Sequence, residues 1–145
     1  MQGIRGMSNL AKDVMTANPQ CCSADTPLNE VAKLMVECDC GEIPVVDAAK
    51  KLVGVVTDRD IVCRAVAKDL NTAAVKASEV MTKPVISVKE DCTLDDVLST
   101  MEEHQIRRVP VLDAGGCVCG IISQADVARK VEEQETGELV RAVSR

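Results

Sequence analysis

The chain has 145 residues, enough for one well-buried core or for two small ones that depend on each other. With 46% hydrophobic and 28% charged residues and no apolar run near the roughly 18 residues of a membrane helix, it reads as a soluble cytoplasmic protein. A net charge of -6 repels phosphate backbones, and the absence of Phe, Tyr and Trp removes stacking platforms, so neither a nucleic acid nor a membrane is expected as a partner.

Residues 1–9 read as an N-terminal extension without the continuous apolar stretch of a secretory signal. Val14-Met15-Thr16 opens the first patterned segment. Leu28, Val31, Ala32 and Met35 then follow helical spacing, with Thr26 or Asp25 as the expected N-cap and Pro27 in the first turn. Ile43 to Val46 and Leu52 to Thr57 read as two strands joined at Asp47 to Lys51, a hairpin. A second helix is expected from Asp58 through Ile61, Val62, Ala65 and Val66, followed by a linker over 69–75.

The same order then returns. Residues 10–66 align without gaps on 76–132 at a constant offset of 66. Val14-Met15-Thr16 becomes Val80-Met81-Thr82, Leu28-Val31-Met35 becomes Leu94-Val97-Met101, Pro44-Val45 becomes Pro110-Val111, and Gly54 and Asp60 become Gly120 and Asp126. The expected fold class is α+β, with two pseudo-symmetric repeats of order β-α-β-β-α, 10–68 and 76–132, packed sheet to sheet because one copy alone would be marginal. The tail over 133–145 carries Leu139, Val140 and Val143 at partial helical spacing, which fits a packing helix in a homodimer.

In each copy a strand ends on a hydroxyl, Thr57 or Ser123, where a helix begins, and unpaired N–H groups at such a start attract phosphate. Three residues on, Asp60 or Asp126 can accept hydrogen bonds from both hydroxyls of a ribose. First-turn capping explains the same four residues, and both roles can hold together.

The motifs resemble the CBS domain family, whose members usually occur as tandem pairs called Bateman modules. The carriers are Val-Met-Thr, the Pro-Val-Val-Asp segment, Gly54-Val55-Val56-Thr57-Asp58-Arg59-Asp60 and Gly120-Ile121-Ile122-Ser123-Gln124-Ala125-Asp126. The segments Thr-Asp-Arg-Asp-Ile and Ile-Arg-Arg-Val-Pro-Val look most like stand-alone bacterial two-domain proteins of the hypoxic-response type. The resemblance implies a non-enzymatic sensor that binds AMP, ADP, ATP or NAD in clefts between the repeats, with S-adenosylmethionine also open, and that signals to an unidentified protein partner or through its dimer. It further implies that basic residues of one repeat reach the phosphates of a ligand on the other. Thr16, Ile43, Pro44, Thr57 and Asp60 would then form the tighter cleft, closed by Arg107 and Arg108. Thr82, Ser123 and Asp126 would form the weaker one, opposed by Gly41 and Glu42 and offset by Arg59, and Val109 and Pro110 are expected among the ligand-binding residues as well.

None of the eight cysteines aligns with another at the offset of 66, so the fold does not require them. Reduced thiols are expected, with Cys40 and Cys119 acting as small buried hydrophobes. The rival reading is a redox- or metal-responsive dimeric stress protein using Cys38, Cys40 and His104. A single histidine and no nucleophile beside a base leave no catalytic constellation in the sequence.

Overall fold

The computed structural model describes residues 9–83 and 85–133. The expected tail helix at Leu139, Val140 and Val143 and the extension over 1–8 lie outside them. Among the described residues no helix is long and apolar enough to cross a membrane.

In chain order the elements are α1 (Ala11–Val14), β1 (Thr16–Ala17), α2 (Leu28–Cys38), β2 (Glu42–Val46), β3 (Leu52–Thr57), α3 (Asp58–Arg64), a 3-10 turn (Val66–Lys68), α4 (Ala77–Val80), β4 (Val88–Lys89), α5 (Leu94–His104), β5 (Arg108–Leu112), β6 (Val118–Ser123) and α6 (124–133). The apolar spacing buries one stripe of each long helix, Leu28, Val31 and Met35 in α2 and Leu94, Val97 and Met101 in α5. Both helices stop at a left-handed residue, Asp39 (φ 51°) and Gln105 (φ 54°). The following N–H groups, of Cys40 and Ile106, return to the carbonyls of Met35 and Met101 at 3.0 and 2.9 Å, which satisfies the frayed end. Helix α5 is capped by Thr93, whose Oγ1 accepts from the Asp96 N–H. Helix α2 instead has Pro27 at its N-cap with no side-chain cap, because Thr26 Oγ1 turns back to accept from the Ser23 N–H.

The chain forms two compact units, and they do not coincide with the repeats. One unit, called here the Asp126 unit, comprises residues 9–17, 86–112 and 119–133; the Asp60 unit comprises Asn18–Val85 and Asp113–Val118. The opening segment of each repeat has crossed to the other repeat's core. In the Asp126 unit the sheet order is β1-β6-β5-β4, with Thr16 opposite Ile121 and Val88 beside Val111. The Asp60 unit repeats that order around the β2–β3 hairpin: Thr82 bridges Val55 on one side and Cys22 bridges Val45 on the other. Each of these pairs is its counterpart displaced by 66 residues.

Two glycines make the exchange possible. A Cβ at Gly54 would collide with Met81, and one at Gly120 with Met15, so each glycine seats the methionine of the crossed segment. Each unit then closes over its own core. Leu28, Val31, Ile43, Val45, Val56, Ala77 and Val80 form one, and Ala11, Leu94, Val97, Val109, Val111, Ile122 and Val127 the other.

Two expectations change here. The segment over 69–75 is not a bare connection: Val75 is buried, its carbonyl accepts from the Leu28 N–H at 2.9 Å, and the Thr72 carbonyl accepts from Asn29. It serves as the backbone partner of the uncapped start of α2. The helix after Thr57 ends at Arg64, and Ala65 leaves helical geometry before the 3-10 turn. Ile61 and Ala65 are buried while Val62 and Val66 are exposed, so only part of the predicted stripe reaches the core.

Candidate ligand-binding sites around Asp60 and Asp126

The hairpin β2–β3 delivers Thr57 to the start of α3, opposite Glu42, with Ile43 opposite Val56 and Pro44 opposite Val55. A capping box forms at once. Asp60 N–H donates to Thr57 Oγ1 and Thr57 N–H donates to Asp60 Oδ2, both at 3.0 Å. Thr82 Oγ1 donates to the same carboxylate, 3.1 Å from either oxygen. Asp60 is 8% exposed, a buried carboxylate held by donors from two segments that are 22 residues apart.

Ser123 and Asp126 repeat the box, the reciprocal bonds measuring 2.9 and 3.1 Å. The third partner differs. Arg129, one turn along the same helix, pairs with Asp126 Oδ1, and among the described residues no hydrogen bond joins Thr16 to Asp126. The side chain of Asp126 keeps 18% of its surface against 10% for Asp60.

The expected grouping of the two threonines is therefore reversed. Thr82 belongs with Thr57, Asp60, Ile43 and Pro44, and Thr16 belongs with Ser123, Asp126, Val109 and Pro110. The physical reason is the crossed opening segment, in which the Val55–Thr82 and Ile121–Thr16 pairs replace pairing within one repeat. Arg107 and Arg108 are exposed and stand in the Asp126 unit, where the Arg107 carbonyl accepts from the Gln124 N–H at 2.7 Å. Gly41 makes the equivalent bond to the Asp58 N–H at 2.9 Å, and the neighbouring Glu42 is buried.

The unpaired N–H groups expected at the start of α3 are also absent. Asp58 N–H goes to the Gly41 carbonyl, Arg59 N–H to Asp58 Oδ1 and Asp60 N–H to Thr57 Oγ1. A phosphate could not be taken up by that helix start without displacing these partners. The exposed guanidinium groups of Arg59, Arg107 and Arg108 remain as the candidate anion donors among the expected residues.

The cysteines divide into several environments. Cys38 and Cys40 form a disulfide across the left-handed turn at Asp39, a correction to the expected free thiols: that turn brings their Cα atoms to 5.4 Å. Cys40 is thus only partly buried, as is Cys119. Burial raises the Cys22 thiol to about 11, with Cys21 adding to the shift. Burial also raises Cys21, against Lys50, and raises Cys92, where Asp96 and Asp91 act in the same direction. Cys63 is exposed. Among the described residues no three His, Cys, Asp or Glu side chains are grouped to hold a metal ion.

The CBS domain profile matches residues 11–66 and 77–133. Hypoxic response protein 1 of Mycobacterium tuberculosis is 35% identical over 133 residues, 92% of each chain. A crystal structure of Hypoxic Response Protein I with two coordinated zinc ions aligns with a TM-score of 0.77 over 83% of this chain and 98% of that one, at 35% identity. The CBS domain pair of MJ0100, in complex with 5′-methylthioadenosine and S-adenosyl-L-methionine, aligns at 0.79 with 30% identity, covering 88% and 99%. CBSX2 in complex with AMP aligns at 0.75 with 27% identity, covering 87% and 98%.

Proposed function

Because the chain belongs to the CBS domain family, with two repeats that make a Bateman module, we propose that it is a regulatory sensor of adenosine-containing ligands without catalytic activity of its own. The observation that carries the reading is the Asp60 carboxylate, buried, fixed by Thr57 and Thr82, and one turn into a helix. An ionised carboxylate has about four lone-pair directions, so two donors leave room for the cis-diol of a ribose. Ile43 and Pro44 of the adjoining strand are fully buried and back the strand pair that carries the site, and a base in this chain without aromatic residues has to be held by aliphatic and backbone contacts. Asp126, in an equivalent capping box but paired with Arg129 in place of a threonine, offers a second sugar site, and the exposed Arg107 and Arg108 of that unit supply charge for a phosphate.

AMP, ATP, NAD and S-adenosylmethionine share the adenosine that this chemistry recognises. Relatives that bind AMP and S-adenosyl-L-methionine support the class rather than one member. A thermal-shift panel of those four ligands on protein stripped of co-purified nucleotide tests the reading. A ligand at one hundred times its Kd adds about 2.7 kcal/mol of stability. No shift with any ligand would remove the proposal.

A second reading, redox response, has the Cys38–Cys40 disulfide in its favour. It sits two residues before Glu42 and one before Gly41, whose carbonyl anchors the start of α3, so thiol chemistry there acts on the frame of the Asp60 site. We also propose that the chain is a homodimer, checked by sedimentation or light scattering.

A further inference from the structure

We infer that Arg64 is a positioning residue for the Asp60 site, strapping the Val80–Thr82 segment against the carboxylate that receives the sugar. Arg64 Nη1 donates to the Val80 carbonyl at 3.0 Å and lies 3.4 Å from the Met81 carbonyl, while its Nε stands 3.9 Å from Asp60 Oδ1. One planar cation thus joins the last turn of α3 to both sides of the site. Val80 ends the four-residue helix α4 and Met81 is its C-cap, so their carbonyls have no helical donor ahead of them. Arg64 supplies it. The Val55 and Thr82 backbones exchange bonds of 3.2 and 2.8 Å on the far side of the same segment. Held from two directions, Thr82 directs its hydroxyl across both oxygens of Asp60.

The distances give Arg64 a different role from that of a ligand contact. At 3.9 Å it attracts the Asp60 carboxylate without taking a full hydrogen bond, so acceptor capacity stays available for sugar hydroxyls. The equivalent residue of the other unit is Lys130, a compact charge that lacks the fixed fork of a guanidinium. The strap is therefore a property of the Asp60 unit, and it distinguishes two sites that share their capping boxes.

The inference rests on the adenosine reading, and the experiment separates the two. Full-length chain carrying Asp126→Ala, which silences the second site, is titrated calorimetrically with AMP and with 3′-deoxyadenosine monophosphate. A preference for AMP of about tenfold is expected, one hydrogen bond to a carboxylate. If AMP does not bind, whichever of ATP, NAD and S-adenosylmethionine does bind is titrated beside its 3′-deoxy form; no binding of any of them overturns both the reading and the strap. With binding present, adding Arg64→Met should weaken AMP about tenfold and reduce the preference for the 3′-hydroxyl below about twofold, while the deoxy ligand changes little. A purely structural arginine would lower the melting temperature and leave the preference intact, and that result overturns the inference. If Arg64→Met does not fold, Arg64→Lys carries the test: loss of preference with charge retained supports the strap, and an unchanged preference overturns it.

Discussion

The Asp60 and Asp126 units follow one backbone plan, yet identical threonines behave differently in them. Thr82 donates to Asp60, whereas Thr16, the same residue type at the same place, makes no bond to Asp126 among the described residues. The cause lies one turn down the helix. Arg129 occupies the Asp126 carboxylate, where the equivalent residue near Asp60 is Cys63, and Arg64 instead reaches the segment that carries Thr82. Sequence symmetry thus sets strand order, register and caps, while two helix positions, 63/129 and 64/130, decide what each carboxylate holds.

The largest expected effect is on that contrast itself. Asp60→Ala removes the acceptor of the Thr57 N–H and the Thr82 hydroxyl, so it should destabilise by about 2–3 kcal/mol, against about 1 kcal/mol for Asp126→Ala, in urea unfolding. Equal losses would break the comparison.

Cys22 tests the same asymmetry by pH, since its counterpart is Val88. Its folded thiol, at about 11, lies above the ordinary 9.0, so the native state keeps the proton longer than the unfolded chain does. The stabilisation is therefore full below pH 9 and is lost as pH rises towards about 11, about 2–3 kcal/mol in all. Cys22→Val should flatten that decline, read as melting temperature against pH. A decline of undiminished size in the variant would contradict the burial account.

Gly120→Ala should cost about 1–3 kcal/mol through displacement of Met15, whose Cβ, Cγ and Sδ all crowd the added methyl. Gly54→Ala should cost less, because Met81 Cβ stands further off, at 3.4 Å. Thr82→Val should lose about 1 kcal/mol while Thr16→Val stays within about 0.5 kcal/mol. Smallest of all, Arg129→Ala should change stability by under about 0.5 kcal/mol, since the pair is open to solvent on the arginine side.

The repeat, the helical stripes and the hairpins were legible because each rests on local periodicity. The crossed opening segments were not. Val14-Met15-Thr16 and Val80-Met81-Thr82 are the same word, and Gly54 and Gly120 accept a methionine equally, so packing within a repeat and packing between repeats read identically from the chain. That degeneracy misplaced Thr16 and Thr82 while leaving the Thr57–Asp60 and Ser123–Asp126 boxes correctly paired. Arg64 was missed although a signal existed: Asp60 and Arg64 fall at i and i+4 on one helix face. The Cys38–Cys40 bridge depends on the left-handed turn at Asp39, which spacing alone does not announce.

The most direct test of the central claim is two-site calorimetry of AMP binding to wild type, Asp60→Ala and Asp126→Ala. The account predicts a tighter site that disappears with Asp60→Ala, a drop of at least about tenfold in affinity, and a weaker one that disappears with Asp126→Ala. Binding abolished by Asp126→Ala and untouched by Asp60→Ala would contradict it.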